Sequence, residues 1–175
     1  IGEYLDYVKD SDVKTVMLLK TAKYSFMRPM ELGLILAGVD EKKIKRWLDI
    51  ALKIGWIFQM KDDYVGTFGT EIKIGKSITS DIEEGKNTLI TQLFFKKADR
   101  KEEEKFKTFF GNSNIQNEDF AWYRSLLKAK QVDKEIRRLI QSESNKAVTM
   151  MKEFTGMPLS SLFLEICGML THFSL

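Results

Sequence analysis

Apolar residues recur at three- and four-residue steps along almost the whole chain, with few interruptions. That spacing gathers them on one side of successive α-helices. Only 2 Pro and 11 Gly occur in 175 residues, too few to punctuate the many short strands of a sandwich or barrel. The expected class is therefore all-α. Charged residues, at 30%, are ample to coat the outer faces of such helices. A single Cys excludes a disulfide framework and cannot make a zinc site. The longest uninterrupted apolar run, 32–39, is far short of the ~20 residues of a transmembrane segment. No charged-then-apolar leader opens the chain, so the expectation is a cytoplasmic protein. The formal net charge of +3 is too small to argue for nucleic acid as a partner.

Asp12 is placed as the N-cap of a first long helix, with Val13, Val16, Met17, Lys20 and Tyr24 on a common face. It should run to a C-cap at Gly38, with Pro29 kinking it near Ser25–Phe26 by removing a backbone hydrogen bond. Asp40 then caps a second long helix, about 41–67. Residues 50–58 of that helix are apolar on nearly every side, which predicts burial all round. Gln59, Lys61, Asp62 and Asp63 follow at once. A buried helix ending in an amide and two carboxylates needs a chemical reason, because unpaired buried charges are costly. Residues 69–85 lack helical period and read as a long loop, a common place for function. Helices are expected again at about 86–98, 101–110, 118–129, 132–154 and 159–173. A turn at 111–114 and the pair Gly156 and Pro158 separate them.

On a helix, Gln59, Asp62, Asp63 and position 66 fall within roughly 100° of one face. Two adjacent carboxylates facing a cavity repel one another unless a positive charge sits between them. Oxygen-only ligation favours Mg²⁺, which keeps several waters and bridges carboxylates to phosphates. Lys20 faces inward, and the loop and its exit supply Lys73, Lys76 and Lys86, each a compact charge suited to phosphate. Together with an apolar wall, the set suggests a diphosphate ester with an apolar tail. Taken singly, each feature is bland: an Asp-Asp pair is often only solvated, and a lysine on an apolar face can snorkel.

The order of the set carries more. Lys20-Thr21, with Tyr24-Ser25-Phe26 and Pro29, resembles the lysine–threonine motif of trans-isoprenyl diphosphate synthases, above all the archaeal geranylgeranyl and farnesyl types. Phe58-Gln59-Met60-Lys61-Asp62-Asp63 is similar to the start of that family's second aspartate-rich motif. Gly75-Lys76, Asp81-Ile82 and Glu84-Gly85-Lys86-Asn87-Thr88 resemble the stretch that follows it. The resemblance covers about residues 4–91 and fades from Gln92 onward into helical character alone.

The resemblance implies an all-α isoprenoid synthase bundle and a prenyltransferase. Such an enzyme condenses isopentenyl diphosphate with an allylic diphosphate by Mg²⁺-assisted ionisation, and works as a homodimer. It implies Asp62 as a Mg²⁺ ligand, with Asp63 in support. Lys20, Lys76 and Lys86 would bind the allylic diphosphate. Gln59 and Thr21 would face the developing cation, and Phe58 would flank the isopentenyl chain.

Two departures stand out. Position 66, where the family's motif has its third Asp, is Gly66. No earlier Asp-Asp motif precedes Lys20. The expectation is that residues 1–175 form the C-terminal portion of one such domain, inactive on their own. A rival reading is a catalytically silent helical subunit of a prenyl synthase. His172 reads as a helix-end residue and Cys167 as a buried core thiol. Trp47 with Lys42, Lys43, Lys45 and Arg46 makes too small a footprint for nucleic acid.

Overall fold

Asp12 and Asp40 start the first two helical stretches. Each carboxylate accepts from the backbone N–H three residues on, Thr15 at 3.0 Å and Lys43 at 3.1 Å. The computed structural model describes residues 12–69 and 78–173. All its regular elements are helical, so the fold is all-α as the spacing predicts. In chain order they are α1 (Val13–Met17), a π-helical segment (Leu18–Met27), α2 (Arg28–Leu36), α3 (Glu41–Phe68), α4 (Ser80–Glu83), α5 (Leu89–Lys97), α6 (Arg100–Lys107), α7 (Asn117–Ala129), α8 (Val132–Met151) and α9 (Pro158–Thr171). A short 3₁₀ turn, Lys152–Phe154, links α8 to α9. Among the described residues no helix is long and apolar enough to cross a membrane.

The break expected near Ser25–Phe26 takes a different form. From Leu18 to Met27 the backbone winds as a π-helix, and Arg28 N–H reaches back to Lys23 O before α2 resumes with Pro29 in its first turn. The wider turn advances each residue by less than the ~100° of an α-helix. Tyr24 therefore leaves the common face expected for it and stands 76% exposed, while Thr21 and Ala22 turn inward. Gly38 ends α2 at φ +67°, with Val39 N–H bonded to Leu34 O and Gly38 N–H to Ile35 O. That is the Schellman pattern, which places glycine in the left-handed region.

α3 is the axis of the molecule. It packs along the π-helical segment on one side and along α8 on another, with α9 beyond. Ile50, Ala51, Ile54, Ile57 and Met60 are buried along it. Burial is not all round, however: Phe58 is 42% exposed, because the inward stripe is fixed by the two helices that flank α3. Trp47, at the start of α3, is buried against Phe154 at 4.4 Å between ring centroids, so it is core and not part of a basic surface. A second core, of rings, lies among α5, α6 and α7. Phe106 touches Phe94 at 4.6 Å, Tyr123 at 4.8 Å and Phe109 at 5.3 Å between centroids. Cys167 is buried, and burial pushes its thiol above the usual range despite a hydrogen bond to Ser144. His172 is an exposed residue at the end of α9.

Candidate functional site

Three stretches distant in sequence meet at one cavity of about 140 Å³. α1 and the π-helical segment supply Val13, Val16, Met17 and Lys20; α3 supplies Gln59, Asp62 and Asp63; the segment from α4 to α5 supplies Asp81, Lys86, Asn87 and Thr88. The apolar face of α1 thus forms one wall, and a ring of charges and amides the rest. Lys20, Gln59, Asp62, Asp63 and Lys86 are brought together as the sequence predicts.

On α3, helical spacing sets Gln59 and Asp63 one turn apart, and the Gln59 Nε2–H donates to Asp63 Oδ1 at 2.8 Å. The Thr21 hydroxyl donates to the other end of the same amide, Gln59 Oε1. Asp63 is 5% exposed, whereas its neighbour Asp62 faces solvent at the cavity mouth.

The short helix α4 falls within the stretch expected to be loop, and it ends in a second Schellman turn. Gly85 has φ +66°, with Lys86 N–H bonded to Asp81 O at 2.8 Å and Gly85 N–H to Ile82 O at 3.1 Å. That turn brings Lys86 back over α4, where its ammonium meets Asp81 at 3.2 Å and Glu84 at 3.0 Å. Burial opposes the Lys86 charge, but the Glu84 and Asp81 carboxylates outweigh it and hold its pKa above the ordinary lysine value. A side chain at Gly85 would also meet Gly111 Cα at 3.2 Å, where Gly111 N–H donates to Ile82 O at 2.8 Å. Thr88 caps α5 and exchanges hydrogen bonds with Thr91, so the N-terminal end of α5 borders the cavity.

Some expected residues lie elsewhere. Phe58 does not line the cavity; it rests on Phe26 with ring centroids 5.3 Å apart. Lys73 and Lys76 fall outside the described residues. Conversely, sequence reasoning gave no role to Asp81, Asn87 or Thr88. The sequence signal for them was their place in the family-like stretch, and the structure adds that a Cβ at Gly66 would lie 3.3 Å from Asp81 Oδ2. The carboxylate absent from α3 at position 66 has a neighbour from α4 in its place. Among the described residues no three His, Cys, Asp or Glu side chains are grouped so as to hold a metal ion unaided.

With the geometry in place, the comparison with known proteins decides the family. Residues 1–127 match the family model described as polyprenyl synthetase. The chain belongs to the polyprenyl synthetase family. Within it, the chain is similar to a short chain isoprenyl diphosphate synthase of Methanocaldococcus jannaschii, at 30% identity over 126 residues, 72% of this chain and 36% of that protein. It is also similar to a geranylgeranyl diphosphate synthase of Saccharolobus solfataricus, at 32% identity over 117 residues, 67% of this chain and 32% of that protein. A solved geranylgeranyl pyrophosphate synthase of Corynebacterium glutamicum, complexed with isoprenyl diphosphate and magnesium, shares the fold. It has a TM-score of 0.86 and 26% identity over 98% of this chain and 51% of that one. The chain thus spans about a third of the two relatives' length and about half of the solved one. The polyprenyl synthetase match contains the whole cavity, and the structural likeness reaches beyond it through α8 and α9, where sequence resemblance fades.

Proposed function

We propose that this cavity is the allylic diphosphate site of a prenyltransferase, which joins an allylic diphosphate to isopentenyl diphosphate to give a longer trans-prenyl diphosphate. The single observation that carries the reading is that Lys20, Gln59, Asp62, Asp63 and Lys86, three separate motifs, line one cavity with an apolar wall. Lys20 and Lys86 hold the diphosphate from two sides, and Lys76 joins them. An incoming diphosphate competes with Asp81 and Glu84 for the Lys86 ammonium. Asp62, at the mouth, is the first choice of Mg²⁺ ligand, with Asp63 in support. The donor set fits that ion: hard carboxylate oxygens too few to cage a metal alone, leaving positions for water and diphosphate oxygens. Bound Mg²⁺ supplies neutralisation of the charge that develops on the departing diphosphate. Lys20 and Lys86 add to it from the protein side. Thr21 and Gln59 face the allylic carbon as its C–O bond breaks, and Phe58 flanks the isopentenyl chain.

As to assembly, Tyr24, Leu32, Ile35 and Leu36 expose a broad apolar strip along the first helical stretch. That strip supports a homodimer built on this face. Gly66 favours the rival reading of a silent subunit, but Asp81 beside it supports a working site. The test is a thermal melt with inorganic diphosphate, with and without Mg²⁺. A ligand-linked rise in Tm that requires Mg²⁺ is expected. An unchanged Tm at millimolar diphosphate and Mg²⁺ would overturn the reading.

A further inference from the structure

Gly55 lies one helical turn before Gln59 on α3, at a place where α3 and the π-helical segment pass closely. A Cβ there would meet Ala22 Cα at 2.5 Å, Ala22 Cβ at 3.0 Å and Phe26 Cδ2 at 3.0 Å. The first of these is backbone, so no rotamer change relieves it. Ala22 is 0% exposed and is directly preceded by Thr21, whose hydroxyl donates to Gln59. Gln59 Nε2–H donates to Asp63 Oδ1, which leaves Oε1 facing Thr21; an amide oxygen only accepts, so the hydroxyl donates. Thr21, Gln59 and Asp63 therefore form one polarised chain of hydrogen bonds across the two helices. Lys20, beside Thr21 on the same π-helical segment, lines the cavity together with Asp63.

We propose that Gly55 is a positioning residue: its missing side chain seats the π-helical segment on α3 closely enough for Thr21 to pin Gln59, and Gln59 to pin Asp63. The inference rests on the diphosphate-site reading for its purpose, but its geometry stands apart from it. The π winding belongs to the same device. Its altered angular step turns Thr21 and Ala22 together toward α3, while Lys20 stays on the cavity. Alanine at 55 needs the helices about 1 Å further apart to restore ordinary carbon–carbon contact. That separation stretches the Thr21–Gln59 bond beyond the ordinary O–H···O range and weakens it.

The experiment compares the wild-type chain with Gly55→Ala, Thr21→Val, Thr21→Ser and the double variant Gly55→Ala/Thr21→Val. Two readouts are taken: exchange protection of the Gln59 side-chain amide by NMR, and Mg²⁺-dependent affinity for inorganic diphosphate. Gly55→Ala and Thr21→Val should each abolish the protection and weaken diphosphate by about tenfold, the scale of a lost hydrogen bond in a charged network. Thr21→Ser, which keeps the hydroxyl, should retain both. In the double variant the two losses should not add, because both act through the same bond. If Gly55→Ala leaves the Gln59 amide protected, or if its effect adds fully to that of Thr21→Val, the proposal is overturned. If the wild-type chain binds no diphosphate, the function reading fails, and the Gln59 amide still decides the role of Gly55. Should Gly55→Ala fail to fold, the Thr21→Val and Thr21→Ser pair decides it: equal Gln59 protection in those two variants would sink the chain of hydrogen bonds.

Discussion

The ring cluster among α5, α6 and α7 and the junction of the π-helical segment with α3 hold helices together by opposite means. In the first, Phe94, Phe106 and Tyr123 are 0% exposed and fill space by volume. In the second, the contact is made by Ala22 and Gly55, with the hydroxyl of Thr21 bonded across it. Large rings tolerate small shifts in angle as long as the volume stays filled. Small residues bring backbones close, and directional hydrogen bonds then fix register. The cavity sits on the second kind of contact. Damage to the rings should therefore appear as lost stability, and damage to the junction as lost binding.

The largest effect should come from the rings. Phe106→Ala removes a fully buried side chain that touches Phe94, Phe109, Phe110 and Tyr123, and should cost about 3–5 kcal/mol in denaturant unfolding. A loss below about 1 kcal/mol would erase the contrast between the two regions.

Next comes the cavity. Asp62→Asn replaces an exposed carboxylate, so its stability should stay within about 0.5 kcal/mol of wild type. Its Mg²⁺-dependent affinity for diphosphate should nevertheless fall at least tenfold, or about 1.4 kcal/mol. Equal affinity in calorimetry would remove Asp62 from the site.

Tyr123 sharpens the comparison from the ring side. Its hydroxyl is buried without a hydrogen-bond partner among the described residues, and burial with the nearby Asp81 charge pushes its pKa well up. Tyr123→Phe should leave stability unchanged or raise it by about 1 kcal/mol, since no bond is lost. A drop of more than that would mean that the hydroxyl has a partner, such as an ordered water.

The smallest effect concerns α3 and α8, where Glu143 joins Lys146 and Lys53, the latter at 2.7 Å. Hydrogen bonds from Lys146 first and Lys53 second hold the Glu143 carboxyl below the usual range. A lowered folded-state value means the pair stabilises above the ordinary glutamate pKa, and that this is lost as pH falls through the lowered one. Glu143→Gln should therefore flatten stability against pH only in the acid range, by less than about 1 kcal/mol. An equal difference from wild type at all pH values would contradict it.

How much of this was legible in the sequence follows from how local each signal is. The caps at Asp12, Asp40 and Gly38 need only a few neighbouring residues, and they stand where the sequence puts them. The gathering of Lys20, Gln59, Asp62, Asp63 and Lys86 was legible only through the order of three motifs. The π-helical winding was not, because periodicity assumes a fixed turn per residue; Tyr24 was misplaced for that reason. Nor was the partner of Gln59, which lies 38 residues away, or the approach of Asp81 to Gly66. Those depend on how closely two backbones pass, a quantity that glycine permits but does not announce. Phe58 shows the converse: an apolar run predicts burial, but only the neighbouring helices decide which side of it is covered.

The central claim is that the lysine–threonine helix, the Asp-Asp helix and the turn around Gly85 together make one diphosphate and Mg²⁺ site. Isothermal titration of the wild-type chain with inorganic diphosphate, with Mg²⁺ present and with it chelated, tests that most directly. Saturable binding at one site that disappears on chelation is expected. Binding of equal strength without Mg²⁺, or none at all, would contradict it.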